Sequence, residues 1–326
     1  MKLRHRRQFL HLAAGAAALP AFSGIARAQA WPARNVRIVV PFAAGPGIDA
    51  IARIVAAHLS ELWSVQIIVE NRAGSGGNIG SEAVARSQPD GYSLLFNGPA
   101  LALNRHLFDR LPYDPITDFA PATLVCTLPN IMLVPNSSPA KSVAEFIEHA
   151  KLNRGAVTFG SPGTGTTQHL SGELLKRMAS IELTHVPYRG PALALADLIA
   201  GRISAAFLSS GAAIEVIRSG QARGLAVTSG KRFPLAPQLR SVSEDVPGYD
   251  VSTWFALFAP AHTPAEIVKK ISSDTAIAIA NPAVKQKLEQ LSIVGVSSTP
   301  EELSALLKSE IERWGKVIRE AGVKLG

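Results

Sequence analysis

Two stretches of this chain share one grammar: a short apolar strand, a glycine-bearing loop without lysine, then an amphipathic helix. They are VRIVV-PFAAGPGI-DAIARIVAAHL from Val36 and VTFG-SPGTGTT-QHLSGELLKRM from Val157. A helix that opens straight after such a loop points unpaired backbone N–H groups and a partial positive charge at whatever stands before it. Two of them face to face make a clamp for a small anion.

The first thirty residues read as an address. Arg4, Arg6 and Arg7 give a basic start, Phe9 to Phe22 an apolar stretch, and Ala26-Arg27-Ala28 or Ala28-Gln29-Ala30 a small-residue cleavage site. Residues 1–30 are therefore expected to be a cleaved export signal. A membrane helix needs about 20 apolar residues, and this core is shorter and broken by Pro20. Arg6-Arg7-Gln8-Phe9-Leu10 also resembles a twin-arginine signal, with His5 where Ser or Thr is commoner. Five cationic residues (Lys2, Arg4, Arg6, Arg7, Arg27) lie in this segment, so its removal lowers the formal charge from +8 to +3. Without a basic cluster in the remainder, and with few aromatic residues, a nucleic-acid surface is not expected. The single cysteine, Cys126, cannot form an internal disulfide and reads as a small buried hydrophobe. About 300 residues then remain, enough for two domains.

Helix and strand signals alternate through that remainder. Val36 to Val40 is a buried strand, with Ile51, Ile54, Val55, His58, Leu59 and Leu62 following at helical spacing. Gln66 to Val69 and Tyr92 to Phe96 are further strands, the latter after the turn Pro89-Asp90-Gly91. Ser142-Val-Ala-Glu145, Thr263-Pro-Ala-Glu266 and Thr299-Pro-Glu-Glu302 read as capping boxes, and Gly201 and Gly220 as helix ends. Strands separated by helices predict an α/β fold with mostly parallel sheets covered on both faces.

In order and spacing, these residues resemble the substrate-binding proteins of tripartite tricarboxylate transporters, the Bug family of periplasmic solute receptors. The resemblance rests on RIVVPFAAGPGIDAIAR (Arg37 to Arg53), IIVENRAGSGGNIGSEAVA (Ile67 to Ala85), PDGYSLLF (Pro89 to Phe96) and LPYDPITDFAP (Leu111 to Pro121). It continues through FGSPGTGTTQHLSGEL (Phe159 to Leu174), HVPYRGPALALADLIAGRI (His185 to Ile203) and LAVTSGKR (Leu225 to Arg232). It implies a two-lobed, type II periplasmic-binding-protein fold, each lobe a mostly parallel sheet flanked by helices, with the ligand cleft between lobes. Residues 31–129 and 254–326 would form one discontinuous domain and 130–253 the other. Leu124 to Val134 and Val251 to Ala259 would supply the linking strands. The implied function is a monomeric receptor that closes on a small organic carboxylate and delivers it to large and small integral-membrane subunits, without a cofactor or metal.

The resemblance places a ligand site on both loops. In the first it implies Phe42, Ala43, Ala44, Gly45 and Asp49, where small residues admit close backbone approach; Asp49 either caps the next helix or touches ligand. In the second it implies Ser161, Thr164, Gly165, Thr166 and Thr167, whose hydroxyls and N–H groups hold a carboxylate with neutral dipoles. Asn97 either donates to a ligand oxygen or starts a turn. His169 either binds ligand or packs locally, Tyr188 lines the cleft or an exposed turn, and Ser209 ends a strand at the site or is an ordinary turn residue.

Departures from the family pattern bear on ligand choice. Pro46 replaces a common second glycine and deletes a backbone donor, Ile48 adds bulk, and Leu208 stands where relatives often carry Asp or a small residue. A less polar ligand, an aromatic or longer aliphatic carboxylate, is expected rather than a zwitterionic amino acid. A sensing input protein would share the same site. An exported hydrolase is the remaining rival, but neither Gly74 to Gly80 nor Gly163-Thr164-Gly165 completes GxGxxG, and GxxxxGK[ST], GxSxG, HExxH and paired-cysteine motifs are absent.

Overall fold

Buried β-branched residues build the first strand, β1 (Val36–Val40), against which α1 (Ile48–Trp63) lays Ile51, Ala52, Val55, Ala56, Leu59 and Trp63. The apolar face includes the small Ala52 and Ala56 and leaves Leu62 exposed, so the stripe is rotated from the one expected. In this computed structural model residues 31–45 and 47–325 are described; the expected export signal and Pro46 lie outside them. The chain continues through β2 (Ile67–Asn71), a 3-10 turn (Ser75–Gly77), α2 (Asn78–Ala85), β3 (Ser93–Asn97), α3 (Pro99–Leu107) and the long β4 (Phe119–Val134). Next come α4 (Val143–Leu152), β5 (Thr158–Ser161), α5 (Thr167–Met178), β6 (Thr184–Pro187), α6 (Pro191–Ile199), β7 (Ala205–Ser209), α7 (Ser210–Arg218), β8 (Arg223–Val227) and β9 (Arg240–Ser241). The chain returns through β10 (Ser252–Pro260), α8 (Ala265–Ala280), α9 (Pro282–Gln290), β11 (Val294–Gly295) and α10 (Pro300–Ala321).

The sheet order is β2-β1-β3-β10-β4-β7-β5-β6, with β8 and β11 also paired to β4. β2, β1 and β3 are mutually parallel, as are β7, β5 and β6. The outer strands are parallel, in keeping with the mostly parallel sheets expected, and the middle is antiparallel: β10 pairs antiparallel with both β3 and β4, and β4 with β7. Following these directions, β3 runs along β4 and β7 runs against it. The C-terminal end of β3 therefore meets that of β7 near the midpoint of β4: Asn97 lies opposite Ala256, which pairs with Leu124, and Ser209 pairs with Asn130. Helices launched from those strand ends begin in the same place.

Among the described residues, three apolar clusters fix the flanking helices. One unites Val39, Leu95, Leu101 and Phe258 with Leu303, Leu307 and Ile311 of α10. A second unites Phe146, Phe159, Leu170 and Phe207 with Trp314, Val317 and Ile318 of the same helix. The third holds Ile131, Leu198, Leu208 and Ile214. α10 thus serves both halves of the sheet, and at its changeover the buried Glu310 carboxylate accepts from Trp254 Nε1 (3.3 Å) and Trp314 Nε1 (2.9 Å). Cys126 is fully buried, and burial raises its thiol pKa, as expected of an inert core residue.

The helix starts follow the expected capping boxes in part. Thr299 and Glu302 close a reciprocal box, and Ser142 accepts from the Glu145 N–H. Thr263 instead turns its hydroxyl back to the Pro260 carbonyl, and Pro264 takes the N-cap position of α8.

Gly172 in α5 lies so close to the Phe159 ring that an added Cβ would enter the ring's contact shell. Gly172→Ala gains helix propensity of about 1 kcal/mol at most, but overpacking costs roughly 1–3 kcal/mol. Net destabilisation with an unchanged denaturant slope is expected in urea unfolding; a stability equal to or above wild type would show that the close approach is not required.

Candidate functional site

Where the two sets of strand ends meet, the structure encloses a cavity of about 680 Å³. Helix starts form much of its wall. The N-caps Gly47 of α1, Gly98 of α3, Thr166 of α5 and Ser209 of α7 all line it, as does Pro191 at the first position of α6. Thr167, Gln168, Gly211 and Ala212 add first-turn positions, whose N–H groups have no acceptor within their own helix. Each start carries about half a positive charge. No lining residue has a formally charged side chain.

The rest of the wall is mainly apolar. Ile51, Leu103, Leu107, Leu128, Phe255, Leu291, Ile293 and Leu325 contribute to it. An acid group at the helix starts and a hydrocarbon body against these residues is the pairing this surface accommodates, because both poles are served without a buried counter-charge.

Of the residues expected at the site, Phe42, Asn97, Thr164, Gly165, Thr166, Thr167 and Ser209 line the cavity, whereas Ala43, Ala44, Gly45, Asp49, Ser161, His169 and Tyr188 do not. Asp49 is not the cap of α1. Its buried carboxylate accepts from the Gly45 N–H (3.1 Å), Asn71 Nδ2 (2.9 Å) and Arg53 Nε (3.1 Å). Burial opposes its ionisation, but the bonds from Arg53, Asn71 and Gly45 prevail and hold the carboxyl below its ordinary range. Asp49 therefore shapes the first loop from behind. Asn97 is committed on both sides, accepting from the Gly98 N–H (2.8 Å) and donating to Ser81 Oγ (3.1 Å). Tyr188 donates to Asp197 Oδ2 (2.8 Å). Leu208, expected to influence ligand contacts, is fully buried opposite Ile131 in the sheet and packs in the third core cluster.

The second loop is hung on two stacked imidazoles. His169 and His185 lie with ring centroids 3.7 Å apart at 15°. His169 Nδ1 accepts from the Gly165 N–H (3.1 Å), and Ser161 Oγ lies 2.7 Å from His185 Nε2 while donating to the Gly163 carbonyl (3.0 Å). Thr166 Oγ1 accepts from the His169 N–H (3.2 Å), capping α5, and donates to the Gly163 carbonyl (2.7 Å). Next to that cap, Thr167 and Thr253 share a hydroxyl hydrogen bond of 2.8 Å between α5 and β10.

Several lining residues escaped sequence reasoning. Gly76 belongs to the glycine-rich stretch Gly74 to Gly80, weighed in the sequence as a dinucleotide motif; the density of glycines was its usable signal, and Gly74, Gly76 and Gly77 all take positive φ. Asn104, which lines the cavity, donates to the Gly76 carbonyl (2.9 Å) and Asn78 Oδ1 (2.7 Å). Gln290, Leu291 and Ile293 arrive from the far end of the chain, where no local pattern marks them.

A mixed α/β sheet with a cavity at opposed strand ends defines a solute-binding architecture. The model of the tripartite tricarboxylate transporter family receptor matches residues 51–323, and the chain belongs to that family. It is 41% identical over 296 residues to the Pseudomonas sp. "UPF0065 protein in tcbD-tcbE intergenic region", spanning 90% of this chain and 88% of that one. It is 32% identical to "Protein BugT" of Bordetella pertussis, spanning 91% and 92%. Among solved structures it resembles R. palustris Rpa4515 with adipate (36% identity, TM-score 0.78, spanning 90% and 99%). It also resembles MatC from Rhodopseudomonas palustris with bound malate (29% identity, TM-score 0.74, spanning 88% and 100%).

His185 supplies a pH prediction. Burial first, and the neighbouring His169 next, push its pKa down to about 4, whereas an unfolded chain's imidazole titrates near ~6.5. A depressed pKa contributes stability present above the unfolded value and lost as pH falls toward the folded one. Thermal melts are expected to weaken from about pH 6.5 down to 4, and His185→Gln to remove its share, at most about 3 kcal/mol. An identical pH profile in the variant would assign the loss elsewhere.

Proposed function

We propose that this protein is an extracytoplasmic receptor that binds a small carboxylate with an apolar body in its cavity and hands it to membrane-embedded transporter subunits. The carrying observation is the convergence of five helix starts on a cavity without a charged lining residue. Adipate and malate in the related structures support an acid as ligand. The wall offers no carboxylate to hold an amino group, which favours an aromatic or longer aliphatic acid over a zwitterion.

In this reading residues 1–30 direct export to the periplasm and are cleaved. Residues 31–129 with 254–326 form one lobe, 130–253 the other, and β4 and β10 are the links. Phe42, Asn97, Thr164, Gly165, Thr166, Thr167 and Ser209 border the ligand; Asp49, Ser161 and His169 hold its loops. Contacts from both lobes are complete only when the lobes are closed, so ligand shifts the population toward the closed form. The membrane subunits recognise that form of a monomer. No chemistry is performed on the solute: the site offers dipoles and apolar surface, and release follows reopening.

Thermal-shift screening tests the ligand class. Benzoate, adipate and hexanoate are expected to raise the melting temperature; stabilisation by aspartate or glutamate alone would reverse the assignment. Gln168→Glu places a fixed anion at the second position of α5, where it suits the helix dipole but competes with a bound acid. Calorimetry should show at least tenfold weaker binding, about 1.4 kcal/mol, with unfolding stability retained. Unchanged affinity would remove the start of α5 from the site.

A further inference from the structure

We propose that His169 is a positioning residue: its neutral imidazole, stacked on His185, holds the Gly165 amide and so sets the shape of the ligand loop in a pH-dependent way. For its effect on affinity this rests on the carboxylate-receptor reading; the loop geometry itself does not.

The argument begins with hydrogen-bond roles. The Gly165 N–H can only donate, so the Nδ1 that meets it at 3.1 Å must carry a lone pair, which places the proton of neutral His169 on Nε2. Nε2 lies 3.7 Å from Glu173 Oε1. On the other ring, the Ser161 hydroxyl donates to the Gly163 carbonyl, so it accepts from His185 Nε2 at 2.7 Å and fixes that tautomer as well. Two neutral rings of defined tautomer thus tie the loop at Ser161 and at Gly165, on either side of Thr164, which faces the cavity.

Protonation undoes the second tie. An imidazolium has donors on both nitrogens, and Nδ1–H would confront the Gly165 N–H, donor against donor. The titratable and charged groups facing His169 are Glu173 and Lys176 on its own helix and His185 from β6; Phe159 from β5 stacks on it without charge. Glu173, with Lys176 3.3 Å away, stands beside His169, where its carboxylate can accept a charge-assisted bond from an imidazolium. A second positive charge 3.7 Å away is strongly disfavoured. Acidification therefore releases the Gly165 amide, and the Thr164–Gly165 stretch loses one of the ties that place it at the cavity wall.

Asparagine separates this role from simple packing, because its Oδ1 occupies about the place of Nδ1, accepts a hydrogen bond and does not titrate. In isotope-labelled protein, the Gly165 amide should be protected from hydrogen exchange at neutral pH, after correction for intrinsic rates. That protection should fall when the sample is acidified from about pH 7 to about pH 5. His169→Asn should keep the protection and abolish its pH dependence, and His169→Ala should lose it at every pH. Affinities for benzoate and adipate, by calorimetry, should fall about tenfold over the same range in wild type and stay level in His169→Asn. An unprotected Gly165 amide in neutral wild type, or the same pH profile in wild type and His169→Asn, would overturn the proposal. Failure of wild type to bind either acid at neutral pH would count instead against the ligand class, while the amide profiles still decide the role of His169.

Discussion

The site depends on one topological constraint, the antiparallel course of β4 between two parallel strand groups that run in opposite senses. Because β3 runs along β4 and β7 against it, the C-terminal ends of both groups are brought to the same stretch of strand. Open α/β sheets place ligands at such ends; here two sheets' worth of ends are pooled. Leu128 on β4 and Thr253 on β10 form the floor between them. A strand of 16 residues is needed to do this, since it must pair with β10 along one half and with β7 and β8 along the other.

That layout explains why the cavity can be electrically useful yet uncharged. A buried arginine would bind an acid more strongly, but an empty site would then carry a desolvated charge costing several kcal/mol. Helix starts avoid this, because their charge is only partial and water can satisfy their free N–H groups when no ligand is bound. The charges that do lie nearby are turned to structural work behind the loops: Arg53 and Asp49 beneath the first, Glu173 and Lys176 beneath the second. Each loop is therefore shaped by buried polar groups that do not themselves line the cavity.

Local pattern in the sequence was enough to identify the two strand-loop-helix units, the strands β2 and β3, the Thr299 cap and the buried Cys126. It was less informative wherever position in three dimensions decides a role. Asp49 sits where a cap is expected, yet its carboxylate reaches back to Gly45 because Asn71 and Arg53 hold it there. Leu208 and Ser209 are adjacent, but side chains alternate along a strand, so one enters the core and the other the cavity. Thr263 and Thr299 share the same local motif, yet the first donates its hydroxyl to the Pro260 carbonyl and the second accepts from the Glu302 N–H. Leu291 and Ile293 close the cavity from a distant segment, a placement that no local pattern encodes.

Magnitudes indicate why both characters of the wall are required. A helix start contributes roughly 0.3–1 kcal/mol to a nearby anion, so even five acting together supply only about 2–5 kcal/mol. Burying about 100–150 Å² of hydrocarbon adds roughly 2.5–4 kcal/mol. Neither contribution alone reaches the ~8 kcal/mol of micromolar binding; together they approach it, before the cost of ordering the ligand. A shorter, fully polar acid would forgo the second term against Leu103, Leu107 and Phe255, and a neutral hydrocarbon would forgo the first. Under the proposed function the wall would favour a molecule that carries both, and described lining residues without formal charge would keep that preference compatible with release.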